Sequence, residues 1–122
     1  MPAPAPASRL RVEIIDEVAV VSFLDSEIID DFTLNAVRDE LYRLVDEKKH
    51  SRIVLNLSKV RKYSTQFLGN LLGLKARLAK INGAMKLCAI APNLMDAVKI
   101  LRIQREFDIF GEEQAAIDAF RR

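Results

Sequence analysis

The sequence predicts an α/β sandwich: a mixed, largely parallel sheet with an N-terminal hairpin, and helices packed on it. Three observations carry that prediction. Short β-branched runs alternate with segments whose apolar residues recur at three- and four-residue spacing. The joining loops are short, and only two residues separate the first two strand-like runs. Strands alternating with helices through short connections bury a parallel sheet beneath those helices. The expected order is ββαβαβαβα.

The elements follow in turn. Arg9–Ile15 and Val18–Leu24 are β-type runs around Asp16–Glu17, a tight turn, and so read as a hairpin. Asp25–Phe32 is acidic and irregular, with Ser26, Asp30 and Asp31 as candidate caps. From Thr33, the residues Leu34, Val37, Leu41, Leu44 and Val45 form one face of an amphipathic helix, with Arg38, Asp39, Arg43 and Asp46 between them. Ile53–Leu57 is short and β-branched, which suits a central strand buried on both faces. A basic loop, Lys59–Lys62, leads into a second helix from about Ser64 to Lys80. Its inner stripe is Phe67, Leu71, Leu74, Leu78 and Ile81, widened by Leu68 and Leu72. Gly69 and Gly73 each cost about 1 kcal/mol relative to alanine inside a helix, which points to close backbone approach there.

Asn82–Gly83 stops that helix in a left-handed turn. Lys86–Ala91 is the next strand, halted by Pro92. Asn93–Leu101 is a short helix with Leu94, Val98 and Leu101 on one side. Phe107–Phe110 is a final extended piece, and Glu112–Arg121 a closing helix with Ala116, Ile117 and Phe120 inward. Residues 1–8 form an extended Pro/Ala tail, and residues 9–122 a single domain; 122 residues suffice for one core but not two.

Bulk properties narrow the function. Net charge is +2 with both signs interspersed, so neither nucleic acid nor a membrane is expected as the main partner. No segment has the length or apolarity of a bilayer span, and the N-terminus lacks the apolar core of a leader peptide. The lone cysteine, Cys88, lies in the apolar run Met85–Ile90 and reads as a buried small hydrophobe. A cytoplasmic protein is the expectation. One histidine, His50, in a solvent-exposed loop setting, and one cysteine make no zinc-type ligand set, so no metal and no cofactor is expected. Nucleophile-elbow, Walker and dinucleotide-binding motifs do not occur. Asp30 and Asp31 are adjacent carboxylates on a polar loop, better suited to capping than to acid–base work. The chain is not expected to be an enzyme, and no catalytic residue is assigned.

The informative stretch is 52–74, RIVLNLSKVRKYSTQFLGNLLGL. A strand breaks into a basic loop, and Ser64–Thr65 then open a helix. Helix N-termini present unsatisfied N–H groups and a positive dipole end, so a hydroxyl there both caps and tolerates added negative charge. A phosphate on either residue adds about −1.5 to −2 charge. Arg61 and Lys62 stand just upstream to steady it, while a partner docked on that surface meets new charge and bulk. This is the pattern of a switchable binding surface.

The same residues resemble the STAS domain, the family of sulfate transporters and anti-sigma factor antagonists, whose members read L-S-x-V-x-x-I-D-S-S-G-L-G-x-L-L. Leu57, Ser58, Val60, Leu68, Gly69, Leu71 and Leu72 match, and the likeness extends over everything after the tail. The resemblance implies a STAS-like sandwich. It also implies a standalone anti-sigma factor antagonist that binds an anti-sigma factor or serine kinase of the GHKL type. Phosphorylation by the kinase switches that binding off, and a phosphatase restores it. The implied contact surface comprises Asp25, Ser26, Arg61, Lys62, Ser64, Thr65, Gln66 and Phe67.

The chain departs from the motif at its centre. Ser64 stands at the aspartate, Gln66 at the commonly phosphorylated second serine and Phe67 at the glycine. Thr65 aligns with the hydroxyl that directly follows the aspartate in stressosome-like members. Thr65 is therefore the first candidate for phosphorylation and Ser64 the second. The alternative is an unphosphorylated scaffold subunit of a larger, stressosome-like assembly, with self-association.

Overall fold

The computed structural model describes residues 8–100 and 102–121. The expected tail up to residue 7, and Leu101 on the third helix, lie outside the described residues.

The hairpin is β1 (Leu10–Ile15) and β2 (Val18–Phe23), paired antiparallel with Ile15 opposite Val18. Asp16 and Glu17 both have positive φ, 51° and 68°, the left-handed geometry that lets a two-residue turn follow the strand twist. Three more strands add to β2 in parallel: β4 (Arg52–Asn56), β6 (Ala84–Cys88) and β7 (Asp108–Phe110), giving the order β1-β2-β4-β6-β7. Two further strands, β3 (Glu27–Ile28) and β5 (Lys62–Tyr63), pair only with each other. Both fall in segments that sequence reading treats as loops, because two residues are too few to show any periodicity.

The helices are α1 (Asp31–Asp46), α2 (Thr65–Ala79), α3 (Pro92–Ile100) and α4 (Glu113–Ala119), with a 3-10 turn at Ile103–Glu106 that the sequence did not suggest. One core joins the inner stripes of α1 and α2, and Leu94 and Val98 of α3, to Ala19, Val21, Phe23, Ile53, Leu55, Met85 and Leu87. The opposite sheet face, with Val18, Val20, Val54 and Cys88, is closed by Ala116 and Ile117 of α4. Ile53, Val54 and Leu55 are all fully buried, as expected of a central strand covered on both faces.

Several expectations need correction. β6 begins two residues before Lys86 and ends at Cys88, because Ala89 turns to a φ of +56°. Pro92 therefore opens α3, where its fixed φ suits a first helical position, rather than halting a strand. Ile81 lies past the end of α2 and is partly exposed instead of completing its stripe. His50 is half-buried, its N–H donating to the Leu44 carbonyl at 3.0 Å. The helix stop stands: Asn82 takes a φ of 56°, and the Gly83 N–H donates to the Leu78 carbonyl at 2.8 Å. The two α2 glycines differ. A side chain at Gly73 would collide with the Tyr42 hydroxyl of α1, whereas at Gly69 it would meet open space.

Candidate functional site

Since β2, β4, β6 and β7 run parallel, their carboxyl ends share one edge, where α/β proteins place their binding surfaces. The segments 24–30, 57–64 and 89–92 meet there with the N-termini of α1, α2 and α3. Backbone bonds fix the arrangement. The Ser26 carbonyl accepts from the N–H groups of Arg61 (2.8 Å) and Lys62 (3.1 Å), and the Ile28 carbonyl from Ser64 (3.2 Å). Asn93, at the start of α3, donates through Nδ2 to the Arg61 carbonyl at 2.8 Å. The Tyr63 hydroxyl donates to the Asn93 carbonyl at 3.2 Å. The β3–β5 pair is thus a brace that sets the entry of the chain into α2.

At that entry, Ser64 is the N-cap in extended conformation, but its side chain makes no capping bond. Its Oγ is shut away from solvent and is a buried polar atom without a partner among the described residues. Thr65, the first residue of α2, is exposed, and so is Gln66. The Phe67 N–H turns back to the Ser64 carbonyl at 3.0 Å, while the N–H groups of Thr65 and Gln66 bond to nothing among the described residues. The helix therefore offers open donors and a positive dipole end beside an accessible hydroxyl.

The remaining expected contact residues divide. Arg61 and Lys62 are exposed, with Lys62 Nζ 3.5 Å from Glu27, a loose surface pair. Ser26 is exposed. Asp25 is half-buried, and both its oxygens accept from Arg9 Nη1, at 3.1 and 3.0 Å. Its carboxylate is therefore engaged within the fold. Phe67 does not reach the surface: it is 0% exposed and packs edge-on against Phe23, with ring centroids 5.6 Å apart. Its place on the inner stripe of α2 outweighs its proximity to the hydroxyls, and it anchors the site from beneath.

Sequence reading missed three apolar residues near this end: Leu24, Ile29 and Phe32, exposed by 54%, 46% and 72%. The acidic residues around them disguised the segment as a solvated loop, although L-D-S-E-I-I-D-D-F carries four large apolar side chains. Only Ile28 among them is buried. Asn93 was missed because its role, bridging to the β5 loop, exists only once the chain has folded.

Among the described residues, two groups have shifted ionisation. Asp30 is held below the usual carboxylate range by its bonds to Thr33, whose N–H it accepts at 3.0 Å. Burial, and then the Glu113 charge, push the Cys88 thiol up to about 11. A groove of about 720 Å³ runs along α1 from Phe32 to Lys48, and its lining includes none of the α2 residues. The N-terminal surface of α2 lies outside that groove.

The family model of the STAS domain matches residues 9–116. The chain belongs to the STAS domain family. Its fold agrees with solved members of related description. An anti-sigma factor antagonist from Mycobacterium paratuberculosis is 25% identical, with a TM-score of 0.80 and 93% of each chain covered. An anti-sigma-factor antagonist (STAS) domain protein from Planctomyces limnophilus is 17% identical, with a TM-score of 0.82 over 93% of this chain and 98% of that one. The Bacillus cell fate determinant SpoIIAA in its phosphorylated form is 16% identical, with a TM-score of 0.68 over 91% and 98%. No curated protein matches the sequence. The STAS sandwich thus accounts for both sheet faces here, and no helix among the described residues is long and apolar enough to cross a membrane.

Proposed function

We propose that this STAS domain protein is a cytoplasmic anti-sigma factor antagonist. It binds an anti-sigma factor or serine kinase of the GHKL type through the N-terminal surface of α2. Phosphorylation of Thr65 releases the partner, and a phosphatase restores the binding form. The observation that carries this reading is the contrast at the start of α2: the Thr65 side chain is exposed, whereas the neighbouring Ser64 Oγ is enclosed. That contrast ranks Thr65 ahead of Ser64 as the modified residue. The open N–H groups of Thr65 and Gln66 accommodate the added charge without disturbing the helix. Arg61, Lys62 and Ser26 are exposed on the segments that lead into α2 and brace it, and Leu24, Ile29 and Phe32 add exposed apolar area on a neighbouring segment. Anti-sigma antagonism in the solved relatives supports the same assignment.

The test is a pull-down from the native cell with Thr65→Glu and Thr65→Ala, followed by mass spectrometry. Glutamate in the first turn suits the helix dipole, so both variants fold. A kinase-type partner is expected with wild type and Thr65→Ala, and not with Thr65→Glu. Equal capture by all three, or no phosphate on Thr65 or Ser64 under any growth condition, refutes the switch.

Gln66 favours a second reading. It is exposed at the position of the family's usual phosphoserine, which fits an unphosphorylated scaffold subunit whose partners bind without release. Under that reading, partner-dependent assembly survives Thr65→Glu and fails with Phe32→Glu.

A further inference from the structure

The edge strand β1 lies outside the α2 surface and carries an unusual pattern. Leu24 donates to the Arg9 carbonyl at 3.0 Å, and Ile15 faces Val18 across the two-residue turn. In an antiparallel ladder, alternate residues then bond inward, so Arg11, Glu13 and Ile15 pair with β2 while Leu10, Val12 and Ile14 point their N–H and C=O groups outward. Among the described residues nothing bonds the outward groups of Val12 or Ile14. At Leu10 only the exposed Ser8 hydroxyl does so, donating to the carbonyl at 2.7 Å. The side chains of Val12 and Ile14 are exposed by 38% and 58%. An open, apolar strand edge is a template for another strand.

The charges on this edge select the strand. Arg11 and Glu13 flank Val12 on the opposite sheet face and are solvated, with only a loose 3.7 Å contact to each other. Read backwards, Arg-Val-Glu is its own electrostatic complement. We propose that β1 is a self-association edge: two copies pair their β1 strands antiparallel about a two-fold axis at Val12. Val12 then exchanges both outward hydrogen bonds with the second copy's Val12, and Leu10 with the second copy's Ile14, which takes the place of the Ser8 hydroxyl. Arg11 falls directly opposite the second copy's Glu13, twice by symmetry, in the non-hydrogen-bonded sites where side chains approach most closely. Shifting the axis to Glu13 would set Glu13 against itself, so charge fixes the register. An isologous interface of this kind closes as a dimer and joins two sheets into one.

The test is charge exchange in the full chain, read by sedimentation equilibrium across a concentration series, with circular dichroism confirming the fold. Wild type is expected to dimerise. R11E and E13R each place like charges opposite one another twice, and each weakens the dimer by about tenfold or more. An equimolar mixture of R11E and E13R, and the double variant R11E/E13R, regain wild-type association, because opposite charges again face each other. A wild type that stays monomeric throughout overturns the proposal. Single variants that dimerise as tightly as wild type, or a mixture that stays monomeric, overturn it as well.

Discussion

Two helices start at the same end of the sheet, and they start differently. α1 opens behind Asp30, whose carboxylate accepts the Thr33 N–H at 3.0 Å. α2 opens behind Ser64, which has the same extended backbone and a side chain equally suited to capping, yet its Oγ bonds to nothing among the described residues. The first terminus is satisfied from within. The second is held by packing beneath it, through Phe67 on Phe23, and by the brace of β3 and β5, while its first donors stay open. A terminus left open in this way keeps its electrostatic capacity for something outside the fold, whether a partner or a phosphate. Under the proposed function, stability and binding are thereby separated between neighbouring helices.

The largest expected effect concerns what holds α2. Phe67→Ala removes a fully buried ring and is expected to cost about 3–5 kcal/mol in urea unfolding. A loss under 1 kcal/mol, by order of magnitude, would mean that the helix start is anchored elsewhere. Next comes the cap of α1. Asp30→Ala is expected to lower the melting temperature clearly, since it strands the Thr33 N–H. Asp30 titrates below a free carboxyl, so its contribution is complete above the unfolded pKa and fades as pH falls through the folded one. The acid limb of the stability profile should therefore be shallower in Asp30→Ala than in wild type.

Glycine substitutions in α2 give a smaller contrast. Gly69→Ala has room and is expected to stabilise by about 0.5–1 kcal/mol in thermal unfolding, while Gly73→Ala gains nothing because Tyr42 must move. The smallest effect belongs to Ser64→Ala, which deletes an unpartnered hydroxyl and is expected to change stability by no more than about 0.5 kcal/mol. If calorimetry finds Ser64→Ala as damaging as Asp30→Ala, the two termini are alike and the comparison fails.

Much of this was legible in the chain. The stripe Leu34, Val37, Leu41, Leu44 and Val45 is buried throughout, and Asp16–Glu17 does turn the hairpin. Such features rest on periodicity or on a local turn, which neighbouring residues decide among themselves. β3 and β5 were not legible, since neither exists without the other and Glu27 lies far from its partner Lys62 in the chain. Nor was the exposure of Leu24, Ile29 and Phe32, because an apolar residue in an acidic loop is buried only if the sheet edge above it happens to be covered.

By itself the sequence determined the alternation of strands and helices, the family motif, and a pair of hydroxyls at the start of α2. Those follow from side-chain spacing and short-range backbone chemistry. Only the tertiary structure decided which hydroxyl faces water. Ser64 and Thr65 are adjacent and chemically alike, but the backbone bond from Ser64 to Ile28 turns one side chain inward and leaves the other on the surface. That difference depends on a contact between distant segments, which local spacing does not contain.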